Sequence, residues 1–386
     1  MTTTSFSVEA ARQRFSSLRS GFAFFDAPGG TQVPDEVGQA IAAALRDASA
    51  NIGAPYETSH RVEAILERAK ADAARFLGCT PAEVSFGMNM TTLNFALSRA
   101  AGRDFQPGDE IVTTELDHDG GVAPWVELAE DKGLVVRVVR ATDELTVDYD
   151  DLERNLSDRT RVVAFAIASN ATGSVADAQR ICRVAREVGA ISWIDAVHYA
   201  AHEPIDVHQL GCDVLVCSPY KFCGPHLGMS YVREELGNTW RPYKARPSSS
   251  KPMGRKFETG TLPYELLAGF SATIAYLESL GGMAVLRDYE RDLGAYLVAN
   301  LPDRVTLYGP PTMDGRVPTF LFNVEGVPAD RVAVALAEQG IGLWAADNWY
   351  CVSLGRRLPE LSLRAGIIHY NTRAEVDRLL EALAAV

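Results

Sequence analysis

The chain is expected to be an α/β protein built on a mainly parallel sheet, followed by a smaller α/β unit. Three observations point there. Short apolar runs alternate with helix-period segments between about residues 84 and 218, the rhythm of a parallel sheet covered on both faces. Two neighbouring runs, Ile191–Val197 and Asp213–Ser218, end abruptly in polar and charged residues, as strands do where their C-terminal ends form a ligand crevice. With 386 residues, 47% of them hydrophobic, the chain is large enough for two domains.

Taken in order, the elements are these. Val8, Ala11, Phe15 and Leu18 share one face of a helix expected over Val8–Leu18. A glycine-rich turn, Ala27-Pro28-Gly29-Gly30-Thr31, precedes helices expected from about Pro34 to Ala48 and from about His60 to Leu77. After a strand-like run at Val84–Phe86, the strand candidates are Glu110–Glu115, Leu134–Arg140, Arg161–Ala168, Ile191–Val197 and Asp213–Ser218. Helices Thr91–Ala100, Pro124–Asp131, Tyr149–Leu156 and Asp177–Val188 fill the gaps. Arg241–Gly260, rich in Pro, Ser, Lys and Arg, reads as a long crossing loop, and a loop of that length is usually functional or mobile. A helix from about Glu265 to Ala295 is expected to break at Gly281-Gly282. Strands Thr319–Val324, Gly340–Trp344 and Leu361–Ile368 then build the smaller unit. Thr372 and Glu375 form a capping box opening the last helix.

Composition excludes some roles. A net charge of -13 without a basic, aromatic-interleaved stripe disfavours nucleic acid. No run reaches membrane-span length, and the start lacks the regions of a secretory signal. A cytoplasmic protein with no membrane partner is expected. The six cysteines, Cys79, Cys182, Cys212, Cys217, Cys223 and Cys351, show neither CxxC pairs nor zinc spacing. Reduced thiols and no metal site are expected.

The chemistry lies at two adjacent strand tips. Ile191-Ser192-Trp193-Ile194-Asp195 ends in a carboxylate, and the next run leads through Ser218-Pro219-Tyr220 to Lys221. This is what pyridoxal phosphate (PLP) requires. A lysine forms a Schiff base with the cofactor aldehyde, and a carboxylate keeps the pyridine nitrogen protonated so that the ring is an electron sink. Alone, Lys221 reads as a surface lysine in a turn and Asp195 as a helix cap; together they are hard to explain that way.

Eight segments in order strengthen this. They are Phe25–Thr31, Phe86–Thr92, Asp117-His118, Ser169–Gly173, Asp195–His198, Ser218–Lys221, Glu258–Thr261, and Arg364 before His369–Thr372. With them the chain resembles the fold-type I PLP enzymes of the class V aminotransferase family, in particular the cysteine-desulfurase-like members, over nearly its whole length. The resemblance implies a seven-stranded-type PLP-transferase large domain over residues 20–282. It also implies a small domain over residues 283–386, with segment 1–19 packed on it. It makes Lys221 the Schiff-base lysine and general base, Asp195 the pyridinium partner, His118 the ring-stacking residue and His198 a contact of the phenolic oxygen. Met90 and Thr91, opening a helix, together with Ser218 and Tyr220, would hold the phosphate. Thr261 would reach the phosphate from a second subunit, giving a homodimer with shared active sites. Asn170 would touch cofactor and substrate, and Arg364 would bind the α-carboxylate of a small amino acid.

One segment departs from the desulfurase pattern. Where a desulfurase carries its mobile cysteine, this chain has Tyr350, with Cys351 one residue late. On an extended segment that shift turns the side chain to the opposite face; in a loop the rule is weaker. Sulfur transfer is therefore doubtful, and Cys351 also reads as a small buried residue. Trp344, Trp349 and Tyr350 read either as walls of the substrate pocket or as core. Transamination, β-elimination and epimerisation all remain open, as does a binding protein that keeps the fold without the activity.

Overall fold

The computed structural model describes residues 6–246 and 248–386. Its centre is a seven-stranded sheet in the order Val84–Gly87, Gly228–Val232, Val214–Cys217, Ile191–Asp195, Thr160–Ala166, Glu110–Thr114, Val135–Val139. All pairings are parallel except those of Gly228–Val232, which runs antiparallel to both neighbours. The sequence reading had no strand there. Gly228-Met229-Ser230-Tyr231-Val232 is fully buried but too short for its period to show. It returns directly from Val214–Cys217, a connection only an antiparallel strand permits without a crossover helix.

A second sheet is four-stranded and antiparallel, in the order Trp344–Ala346, Ser362–Gly366, Thr319–Val324, Val305–Tyr308. Its core, including Phe320, Phe322, Leu363 and Leu379, is separate from that of the large sheet. The expected strand Gly340–Trp344 is divided. Ile341–Gly342 pairs in parallel with Ala23–Phe24, while Trp344–Ala346 joins the small sheet.

The expected helix break falls at Gly281-Gly282, both with positive φ, where Tyr264–Ser279 ends before Met283–Ala299. The first helix differs: it stops at Arg12, and a 3-10 turn follows at Ser16–Ser20. Asp35 Oδ1 accepts from both the backbone N–H and the hydroxyl of Ser16, at 2.9 and 2.6 Å. These bonds draw Ser16 out of a continuous helix. Of the N-terminal segment 1–19, residues 1–5 lie outside the described residues. Phe6 packs on Tyr289, and Arg12 pairs with Glu375 at 2.9 Å, whereas Phe15 packs on Tyr276 and Tyr370. Residue 247 of the crossing loop also lies outside the description; the rest is irregular apart from a 3-10 turn at Met253–Phe257.

Candidate active site

A cavity of about 500 Å³ opens at the C-terminal ends of the parallel strands, where an open α/β sheet places its ligands. Ten of the eleven site residues expected from sequence line it: Met90, Thr91, His118, Asn170, Asp195, His198, Ser218, Tyr220, Lys221 and Arg364. Thr261 does not. It sits in a separate recess with Asn51, Arg255 and Glu258.

Lys221 closes the Pro219–Lys221 turn after strand Val214–Cys217. Its Nζ donates to the carbonyls of Pro28 and Gly29 in the glycine-rich turn. Burial pushes the amine down to about 7; the Arg364 charge adds to this, while Asp26 and Asp195 oppose it. Near neutral pH, much of Lys221 is therefore an uncharged amine.

Asp195 is the last residue of its strand. Oδ1 accepts from the Val197 N–H at 2.9 Å, and Oδ2 has no hydrogen-bond partner among the described residues. Burial raises the carboxyl to about 7 against the Val197 bond, and Asp117, itself raised to about 6 by burial, adds to the rise. A cation beside Oδ2 would restore the carboxylate.

His118 caps a helix that starts at Asp119, five residues before the expected Pro124. Pro124 does not break the helix, because the Gly120 carbonyl it leaves without a helical donor accepts from Asn94 Nδ2 at 3.1 Å. His118 Nδ1 accepts from the Gly120 N–H at 2.9 Å, so the neutral ring carries its proton on Nε2. Burial, with Lys221 and Arg364 nearby, lowers its pKa to about 4. His198 is likewise held neutral, mainly by burial.

Helix Met90–Ala101 points its N-terminus into the cavity. Asn89 caps the Thr92 N–H at 2.8 Å, and Met90 N–H donates to Ser218 Oγ at 3.1 Å. The Thr91 N–H has no acceptor among the described residues, and the Ser218 hydroxyl proton is free to turn toward a ligand. A Cβ at Gly120 would stand 2.7 Å from Thr91 Oγ1, so glycine there keeps this corner open. Free helix N–H groups with hydroxyls suit a phosphate. With the Lys221 amine and the open Asp195 Oδ2, the donor set fits PLP.

Arg364 comes from the middle of strand Ser362–Gly366, opposite Trp344. Nη1 donates to the Asn170 carbonyl at 2.8 Å, Nη2 lies 3.7 Å from Asp26 Oδ1, and Nε is buried without a partner. Donor capacity for a carboxylate therefore remains. Burial lowers the guanidinium to about 10, partly offset by Asp26, and it stays charged. Its Cζ lies 4.2 Å from the Trp349 ring centre.

The wall facing the strand ends is the segment Trp344–Tyr350. Trp344, Ala346, Asp347, Asn348, Trp349 and Tyr350 all border the cavity; Trp344 and Tyr350 are wall residues, whereas the buried Trp349 is wall and core at once. Tyr350 is 64% exposed and stacks on His118 with ring centres 5.4 Å apart. Cys351 has no exposed surface and does not border the cavity; its Sγ lies 2.9 Å from Asn170 Oδ1. Burial pushes its thiol far above the usual range. Sequence reasoning missed Asp26, Asp347 and Asn348. Asp26 had a signal, an acid directly before the glycine-rich turn; the other two had none beyond their place beside Trp349.

The aminotransferase class-V family profile matches residues 23–379. A probable cysteine desulfurase of Mycobacterium leprae is 35% identical over 334 residues, 81% of this chain and 79% of its own length. An aminotransferase-like protein of Gibberella zeae is 30% identical over the full length of both chains. Among solved structures, the apo cysteine desulfurase of Thermococcus onnurineus superposes with a TM-score of 0.92 at 25% identity, covering all of both chains.

Proposed function

The chain belongs to the aminotransferase class-V family, and from that premise we propose that it is a PLP-dependent enzyme acting on a small α-amino acid without passing sulfur to a cysteine of its own. One observation carries the reading. The Lys221 amine, the Asp195 carboxyl and the Arg364 guanidinium share one cavity, while Cys351 is buried outside it.

When bound, PLP supplies an aldehyde for an amine and a ring that draws electron density from bonds to the substrate α-carbon. The residues divide the remaining work. Thr91, Ser218 and Tyr220 would hold the phosphate end. The Asp195 carboxylate, with Oδ2 open to the cavity, would stabilise the positive charge on the ring nitrogen. Arg364 takes the substrate carboxylate, which orients the α-carbon. Lys221, with its amine lowered to about 7, accepts the α-proton and can return it. His118, neutral at this pH, offers a flat face without adding charge.

The protonated, enclosed thiol of Cys351 is neither a nucleophile nor within reach of a substrate. Many relatives are named cysteine desulfurases, so the assay must discriminate. PLP-loaded protein is given L-cysteine and a panel of other α-amino acids, and sulfide, keto acid and D-amino acid are measured. Keto acid, or sulfide that persists in Cys351→Ser, supports the proposal. Persulfide-dependent sulfide lost in Cys351→Ser contradicts it.

We further infer a homodimer in the cytoplasm. Thr261 is exposed on a loop anchored where Glu258 bonds Lys70 and the Phe86 N–H, so it is free to meet a second copy's phosphate. Sedimentation checks this; a monomer would contradict it.

A further inference from the structure

The backbone of the cavity's aromatic wall is unusual. Trp349 and Tyr350 both have positive φ, 56° and 57°, a conformation that costs a bulky residue energy and persists only when its surroundings impose it. Asn348 imposes part of it locally, its Oδ1 accepting from the Tyr350 N–H at 3.0 Å and its carbonyl from the Cys351 N–H at 2.8 Å; Asn170 supplies the long-range part. Its Nδ2 donates to the Trp349 carbonyl at 2.7 Å, and its Oδ1 accepts from the Cys351 thiol at 2.9 Å. One amide group thus ties the segment on both sides of Tyr350. A third tie holds the top of the arch, where the Asp119 N–H donates to the Tyr350 carbonyl at 2.6 Å.

The arch touches both halves of the site. The Tyr350 ring stacks on His118 within 18° of parallel, and the Trp349 ring lies against the Arg364 guanidinium. The Asn170 main-chain carbonyl accepts directly from Arg364 Nη1. Asn170 thus bonds to the arch through its amide and to Arg364 through its main-chain carbonyl, and the enclosed Cys351 thiol is its donor.

We propose that Asn170 is a positioning residue: with Cys351 as its thiol donor, it locks the Trp349–Tyr350 arch, and through the arch it sets the plane of His118 and the placement of Arg364. Cys351 then acts as a hydrogen-bond donor rather than as a nucleophile. One hydrogen on Nδ2 remains for a ligand, so a direct contact with the cofactor is compatible. The effect on ligands rests on the PLP reading above; the effect on the arch does not.

The test compares Cys351→Ala, which removes the donor, with Cys351→Ser, which keeps one, and with wild type. The first readout is amide hydrogen exchange at Asp119 in protein without cofactor. It should be at least tenfold faster in Cys351→Ala and within about threefold of wild type in Cys351→Ser. The second is titration with PLP and then with L-alanine, followed by the visible circular dichroism of the cofactor. Cys351→Ala should change the band and weaken L-alanine binding about tenfold, and Cys351→Ser should restore both. Unchanged exchange at Asp119 in Cys351→Ala overturns the proposal whatever PLP does. Should Cys351→Ala not fold, Asn170→Asp, which loses the donor to Trp349, must speed the same exchange or the proposal fails. Wild type that takes up no PLP would overturn the cofactor reading alone, leaving the exchange result to decide the arch.

Discussion

The two walls of the cavity are built differently. One consists of strand ends and helix starts: Asp195 at the end of Ile191–Asp195, Lys221 just beyond Val214–Cys217, and Met90 at the head of a twelve-residue helix. Regular hydrogen bonding fixes each of these backbones. The other is the segment Trp344–Tyr350: its start, Trp344–Ala346, pairs with strand Ser362–Gly366, and its end, the Trp349–Tyr350 arch, is irregular, with two left-handed residues tied by side-chain bonds to Asn170 and Asn348. The first wall carries charge and proton chemistry. The second carries aromatic surface and borders the space beside Arg364. The contrast teaches that the charged groups and the aromatic surface of this cavity rest on differently built parts of the fold.

Substitutions in the strand-end wall should therefore cost more than substitutions in the arch. The largest effect is expected for Asp195→Asn. Depriving a buried cation of its partner costs about 3–5 kcal/mol, so turnover should fall by about 10²–10⁴ in a steady-state assay. A loss under tenfold would mean that Asp195 does not face the ring nitrogen. Arg364→Lys comes next. Losing a charge-assisted, planar contact costs about 1.5–3 kcal/mol, which predicts a 10- to 100-fold rise in KM with a smaller change in kcat. An equal fall in kcat with KM unchanged would remove Arg364 from carboxylate binding.

The legibility of the two walls follows the same division. Lys221 and Asp195 were readable because an apolar run must stop where a buried strand ends, and the stopping residues face the crevice. The capping box at Thr372 and Glu375 was readable because the bond pattern is local, and the structure has both of its bonds. Strand Gly228–Val232 was not, since five buried residues carry no period. The early start of the His118 helix was hidden behind Pro124, whose compensation by Asn94 is a tertiary contact. The arch was half legible. Trp344, Trp349 and Tyr350 stood out as aromatics, but left-handed backbone at Trp349 and Tyr350 runs against their own preference and is held both by the neighbouring Asn348 and by a residue some 180 positions away.

Two smaller effects sharpen the comparison. Only the unprotonated Lys221 amine reacts with an aldehyde, and its pKa lies near 7. The rate of PLP capture should rise with pH through about 7 and level off above it; the Asp195 carboxyl, also near 7, loses its proton over the same range, so the rise should persist in Asp195→Asn, while His118, at about 4, adds no limb between pH 5 and 9. Stopped-flow absorbance from about pH 5 to about pH 11 checks this, and a limb near the ordinary lysine pKa of about 10.4 would contradict it. In the arch, Tyr350→Ala removes a stacking contact worth about 0.5–1.5 kcal/mol. PLP should bind about 2- to 10-fold more weakly by fluorescence titration, and Tyr350→Phe should match wild type. A larger loss than that for Asp195→Asn would reverse the ranking of the two walls.

The central claim is that Lys221 anchors PLP in this cavity. The most direct measurement is the visible absorption spectrum of the purified protein titrated with PLP, with Lys221→Ala alongside. The account predicts a lysine-dependent band in wild type that is absent from Lys221→Ala. No band in wild type at saturating PLP, or the same band in both proteins, would contradict it.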